Sequence, residues 1–234
     1  MKTLTVTLVM VLSLFSSIAL VAAPGGGGGN SPGGSYGPSA PSKTPEQRAV
    51  ENYLRGVKNR DKGVAFELEA SSETSEKKQE KLLKKAQKEY ARAQSRFEKT
   101  IEKLPGAFEA YSDLGFVLRK QGHYDESLAA YNQALSLNPE YLPAIEYRGE
   151  AFLGLNRLDD AKQAYMVLFR QDRTLADTLM TAMQSWVNKG VANGELSEEA
   201  RQAFSQWVAE RSQLSEQTSD LSPSGRLPWQ TVSR

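Results

Sequence analysis

The chain has 234 residues, of which 39% are hydrophobic; 29 Lys and Arg nearly balance 28 Asp and Glu, with one His and no Cys. This composition excludes disulfides and thiolate chemistry. It offers no excess of positive charge to hold nucleic acid or an anionic membrane as an obligate partner.

Residues 1–23 read as a secretory signal. Lys2 is the positive start, Leu4 to Val21 the apolar run, and Val21-Ala22-Ala23 the small residues at which such segments are cut. Pro24 directly follows Ala23 and leaves the cut itself unassigned. An uncleaved run would instead hold the protein at a membrane, but the Ser and Thr residues within it and its small-residue end favour cleavage. No Cys follows the run, which excludes a lipid-modified bacterial anchor. Residues 24–43 are Gly, Pro, Ser and little else. Such a segment cannot offset its ordering entropy and is expected to be a flexible tether with a reach of about 25 Å. Residues 216–234 are polar and turn-rich and are expected to be disordered, leaving 44–215 as one helical domain.

Within that domain apolar residues recur at steps of three and four, with no strand alternation. The first helix opens at Thr44-Pro45-Glu46-Gln47, where Thr44 can cap, Pro45 suits the first helical position and Gln47 can complete a capping box. Its expected core stripe is Val50, Tyr53 or Leu54, Val57, Val64, Ala65 and Leu68, interrupted by Asp61. Ser71-Ser72 read as a turn. A second helix then runs from about Ser75 to Leu104 with the stripe Leu83, Ala86, Tyr90, Ala93, Phe97 and Ile101, close to a heptad, and Pro105-Gly106 end it.

Two hairpins follow. The first is expected over about 108–120 and 125–137, with Gly122 relieving its tight turn; the second over about 143–155 and 158–171, with Asn156, which tolerates a left-handed backbone, in the corresponding place. A further amphipathic helix spans Leu175–Lys189. Gly190 and Gly194 mark a loop, and Ser197 caps a last helix that shows Ala200, Ala203, Phe204, Trp207 and Val208 on one face. This terminal pair is expected to cover the end of the stack.

The two hairpins repeat one pattern at a spacing of 34 residues. Tyr111, Leu114, Gly115, Leu118 and Gly122 are followed by Ser127, Tyr131, Ala134 and Pro139. The second copy reads Ile145, Arg148, Gly149, Phe152 and Asn156, then Ala161, Tyr165, Leu168 and Arg173. A fixed period of this length marks stacked helical units, none of which buries its apolar face alone. The order aromatic, Leu-Gly, Leu, Gly, Ser or Ala, Tyr, Ala, Pro resembles the tetratricopeptide repeat over 108–141 and, with departures at Arg148, Leu168 and Arg173, over 142–175. The whole domain also resembles a group of bacterial exported tetratricopeptide-repeat proteins. The resemblance implies an all-α solenoid of antiparallel helix hairpins. Gly115 and Gly149 would let the two helices of each hairpin approach, Ala134 and Ala161 would be small for the same reason, and Tyr131 and Tyr165 would fill the gaps between hairpins. It also suggests that Gly56 and Ala93 are the matching small pair of a first, stretched repeat. They lie 37 positions apart where 12 is usual, so a long hairpin is expected, with opposed residue numbers adding to about 149 and Asp61 near Lys88. The alternative is two helices unrelated to the repeats that lean on them.

Little in the chain points to chemistry. His123, the only histidine, sits in a turn; alone and without Cys it builds no typical zinc site. Asp159-Asp160 and Glu198-Glu199 lie at helix starts, where acidic residues suit the dipole. Gly25–Gly29 precedes no element and so fails as a phosphate loop. No catalytic residue, cofactor or metal is assigned. The basic run from Lys77 to Lys103 is interleaved with Glu76, Glu80 and Glu89 and reads as a solvated helix face rather than an anionic docking surface. The tail cluster Leu227-Pro228-Trp229 either folds back onto the domain or docks elsewhere.

In the resembling family, ligands lie on the concave surface made by the first helix of each hairpin. That mapping puts Ser112, Phe116, Arg119, Lys120, Glu146, Tyr147 and Glu150 on the groove. The Lys and Asn of a carboxylate clamp are absent, and Glu146 and Glu150, one turn apart, are expected to receive a Lys or Arg from a partner. The function implied is an exported, non-enzymatic scaffold binding an unidentified protein or peptide, with no nucleic acid and no small-molecule substrate. The membrane enters only if the signal is retained. The alternatives are a protein that self-assembles through its long hairpin or repeat ends, and an anchored adaptor.

Overall fold

The structure, a computed structural model, describes residues 43–189 and 196–219. The expected signal, nearly all of the Gly-rich segment, the loop at Gly190 and Gly194, and the 227–229 cluster lie outside these residues. Eight α-helices make up the described part, which contains no strand. They are α1 Pro45–Ser72, α2 Glu76–Lys103, α3 Phe108–Lys120, α4 Tyr124–Leu137, α5 Leu142–Gly154, α6 Leu158–Gln171, α7 Arg173–Lys189 and α8 Glu198–Ser219. The last helix runs past residue 215, so the first part of the expected disordered tail is helical.

Helices α1 and α2 form a long antiparallel hairpin, each of 28 residues against 13 in α3. Thr44 and Gln47 close the capping box: the Gln47 amide donates to the Thr44 hydroxyl (3.2 Å) and the Thr44 amide to the Gln47 side chain (3.0 Å). The turn falls at Glu73–Ser75, not at Ser71-Ser72. The hydroxyls of Ser71 and Ser72 donate back to the Leu68 carbonyl inside the helix. The Glu73 carboxylate breaks the chain direction by accepting the amides of Thr74 and Ser75, both at 3.0 Å.

The register is the expected one. Thr100 donates to the Ala49 carbonyl (3.3 Å), Arg96 to Asn52 (2.8 Å), Asn59 to Glu89 (2.5 Å) and Gln79 to the Ala70 carbonyl (3.3 Å), so opposed numbers add to 148 or 149. Asp61 takes its neighbour Arg60 as ion-pair partner.

The fully buried face of α1 is not the expected stripe, of which Tyr53 and Val57 pack partly against the α2 core. Its buried residues are Ala49, Gly56, Gly63 and Ala70, one every seven residues, whereas Leu54, Val64 and Leu68 are exposed. The cause is close approach. A Cβ at Gly56 would lie 2.6 Å from the Phe97 ring, and one at Gly63 would overlap the Tyr90 ring. The two helices therefore meet through glycines that receive aromatic rings, and each such ring burial contributes about 1.5–3 kcal/mol. On α2 the same geometry buries Leu82 and Thr100 in place of the expected Leu83 and Ile101.

The first regular hairpin repeats this contact. A Cβ at Gly115 would stand 2.6 Å from the Tyr131 ring, and the Ser127 hydroxyl donates to the Gly115 carbonyl at 2.8 Å. Gly56 with Phe97 is thus the counterpart of Gly115 with Tyr131, and Ala93 and Phe97 precede Ser127 and Tyr131 by 34 residues each. The turns match expectation as well: Gly122 has φ +84° and Asn156 φ +56°.

Gly149 departs from that pattern. A Cβ there would stand 2.6 Å from the Leu179 side chain of α7 and 3.3 Å from Ala164 of α6; no tyrosine ring is among its nearest neighbours. Tyr165 is instead engaged edge-on by Trp207 of α8 (ring centroids 5.5 Å) and tilted against Phe169, while Tyr131 reaches Tyr147 of the next hairpin. Ala134 and Ala161 are fully buried as expected. Arg173, standing where the first repeat has a proline, stacks 3.7 Å from the Phe169 ring centroid and donates to the Ser215 carbonyl of α8. Helix α7 packs on both α5 and α6, and α8 packs on α7, so Phe204 and Val208 close this end of the core.

Candidate functional site

The first helices of successive hairpins, α1, α3 and α5, neighbour one another and form one face. Phe116 stands at its centre, half-buried, with Tyr90 and Tyr147 edge-on at centroid distances of 6.4 and 5.3 Å. Three cations surround its ring: Arg119 at 5.3 Å, Lys120 at 5.7 Å and Arg60 at 6.0 Å.

Each of these cations already holds a carboxylate of the same chain. Arg60 pairs with Asp113, Arg119 with Glu150, and Lys120 with Glu67 at 2.7 Å. The pairs bridge α1 to α3 twice and α3 to α5 once, and they tie the face together as much as they charge it. Burial pushes the Asp113 carboxyl above its ordinary range, against the opposing pull of Arg60. Tyr147 is pushed up to about 12, chiefly by burial, and so stays a neutral hydrogen-bonding phenol at any ordinary pH.

Six of the seven expected groove residues meet here: Phe116, Arg119, Lys120, Glu146, Tyr147 and Glu150. Their roles differ from expectation. Ser112 is sealed beneath the face, its hydroxyl without a protein partner. Glu146 is 1% exposed, and burial together with the adjacent Glu150 raises its carboxyl well above the usual carboxylate range. Glu150 is taken by Arg119. Two free carboxylates waiting for a partner's cation are therefore not what the face presents. The physical reason is that α5 is drawn close to α3, so a residue one turn before Glu150 is covered.

Arg60, Glu67 and Asp113 belong to this face and went unread in the sequence, and Tyr53, read there only as a core residue, joins them. One signal was present: Arg60 stands four residues after Gly56, as Arg119 stands four after Gly115. His123 is exposed in its turn, 3.9 Å from Glu126. Among the described residues no group of three or more His, Asp or Glu side chains is placed to hold a metal ion, and no helix is long and apolar enough to cross a membrane.

Comparison with known proteins places the repeat. Residues 108–141 match the tetratricopeptide repeat family. Protein O-mannosyl-transferase TMTC3 of Homo sapiens and that of Mus musculus are each 30% identical to this chain over 95 residues, covering 40% of it. The chain spans about a tenth of the length of these curated relatives. With the hairpins described above, the protein is an all-α, tetratricopeptide-like helical solenoid whose repeat at 108–141 carries the family pattern.

Proposed function

We propose that the protein is an exported, non-catalytic scaffold that takes a segment of a partner protein along the face of α1, α3 and α5. The observation that carries this is the composition of the face: half-buried aromatic residues Tyr53, Phe116 and Tyr147 set among ion pairs already satisfied within the chain. A surface of this kind gains by burying apolar and aromatic side chains of a partner and by hydrogen bonding through its phenols. It gains little from a lone acidic terminus, because the cations that would receive one are occupied.

The similarity to the two relatives supports a shared repeat array rather than shared catalysis. It covers 95 residues, close to three units of 34, and the transferase activity in their name belongs to proteins about ten times longer than the matched stretch. Export rests on the sequence pattern of residues 1–23. N-terminal sequencing of the protein from its native compartment tests it: a start shortly after Ala23 supports the proposal, and a retained first segment turns it into a membrane-held adaptor.

The binding face is tested by placing a photo-crosslinking residue at Tyr147 and recovering adducts with and without Phe116→Ala. A defined adduct that the second substitution reduces supports the proposed face. An unchanged set of adducts overturns it.

A further inference from the structure

The apolar stripe on the flank of α1, beside its contact with α2, has no full cover within the described residues, Val57 alone of its members packing partly against the α2 core. Leu54 and Leu68 are 61% and 69% exposed, Val64 is exposed, and Val50 and Val57 are half-exposed. With Asp61 these residues stand at 50, 54, 57, 61, 64 and 68. This alternation of four and three is the seam of a two-stranded coiled coil, about 27 Å long. An open hollow runs along the same line, bordered by Leu54, Val57, Lys58 and Asp61. Positions i, i+3, i+4 and i+7 are the four corners of the hole into which a side chain of a facing helix seats.

We infer that this stripe is a self-association surface, and that its occupant is α1 of a second copy lying antiparallel across a two-fold axis near residue 59. The charge pattern identifies the occupant. In that register Val50 meets Leu68, Leu54 meets Val64 and Val57 meets Asp61, each layer occurring twice. The only charged seam residue, Asp61, falls at the centre, where Lys58 of the other copy is its neighbour. The centre is thus a self-complementary ring of two Asp61 and two Lys58, which an isologous pair requires of any charge near its axis. A single polar residue in an otherwise apolar seam fixes register at some cost in stability. The other end of the stack, closed by α8 over Phe204, offers no equivalent exposed row among the described residues. Association through α1 therefore gives a closed dimer and no filament.

The absence of cysteine makes the test clean. In the full chain, Leu54→Cys with Val64→Cys is expected to form an intermolecular disulfide on mild oxidation. Leu54→Cys alone is not, because its two copies stand ten residues apart along the seam, about 15 Å. Sedimentation of the unmodified chain is expected to give twice the chain mass, and Leu54→Glu with Leu68→Glu the single mass with unchanged helix content. Lys58→Asp is expected to weaken association about tenfold, and adding Asp61→Lys to restore it. Three outcomes overturn the inference: a single mass at all concentrations, crosslinking of the lone Leu54→Cys as fast as the pair, or no rescue by the charge swap.

Discussion

The two ends of the helical stack are built from the same materials and finished differently. At the C-terminal end α8 lays Phe204 and Val208 over α7, and Trp186 and Trp207 pack against Phe204 at centroid distances of 5.2 and 6.3 Å. At the N-terminal end α1 makes its tightest contacts with α2, through glycines and alanines, and leaves Leu54, Val64 and Leu68 in solvent. One helix can present a small-residue stripe and a large-residue stripe. Where close approach is available the small stripe takes the core, because a glycine that admits a whole aromatic ring buries more of the partner than a leucine that holds it away.

The sharpest way to break this comparison is to truncate both ends. Phe204→Ala removes a fully buried ring and is expected to cost about 3–5 kcal/mol. Leu54→Ala, measured in dilute solution where the chain is a single copy, should change stability by about 0.5 kcal/mol or less. Denaturant unfolding of the two variants decides it; similar losses would mean that the α1 stripe is covered after all.

A smaller effect probes the close approach itself. Gly63→Ala places a methyl group into the Tyr90 ring, which is buried and cannot swing away. The overpacking cost of about 1–3 kcal/mol should exceed the roughly 1 kcal/mol that alanine gains as the better helix former. Gly106→Ala meets nothing within 4 Å and is expected to be neutral or slightly stabilising. If Gly63→Ala melted no lower than Gly106→Ala, the glycine–ring pairing would not hold the hairpin.

The smallest expected effect separates the two halves of the aromatic face. Near α1 the buried Asp113 faces a cation, Arg60; on α5 the buried Glu146 faces another carboxylate, Glu150. Because the Glu146 carboxyl is raised in the folded state, that state binds the proton more tightly than the unfolded chain does. Stability from this group is therefore full below the ordinary carboxylate range and declines as pH rises through it toward the folded value. Glu146→Gln should flatten this decline and raise the melting temperature above it by about 2–4 °C, roughly 1 kcal/mol. A steeper decline in the variant would show that Glu146 is carried ionised.

Several elements were legible from residue types alone because their causes are local. Thr44 and Gln47 cap α1 through bonds spanning three residues, Gly122 and Asn156 occupy the left-handed turns that Gly and Asn tolerate, and the interval between Gly56 and Ala93 announced the stretched hairpin and its register. The groove was legible in part. The repeat frame led to Phe116, Arg119, Lys120 and Tyr147, but Arg60, Glu67 and Asp113 were missed, since the ion pairs that place them join residues 53 positions apart.

Sequence by itself determined the period, the helices, the turns of the two short hairpins and the opposed positions of the long one, all of which follow from backbone geometry and spacing. Only the tertiary structure decided which face of α1 would be buried, which side chain would lie over Gly149, and that Glu146 would be sealed under its neighbours. Those outcomes depend on how closely two helices can approach, and that distance is set by both surfaces at once.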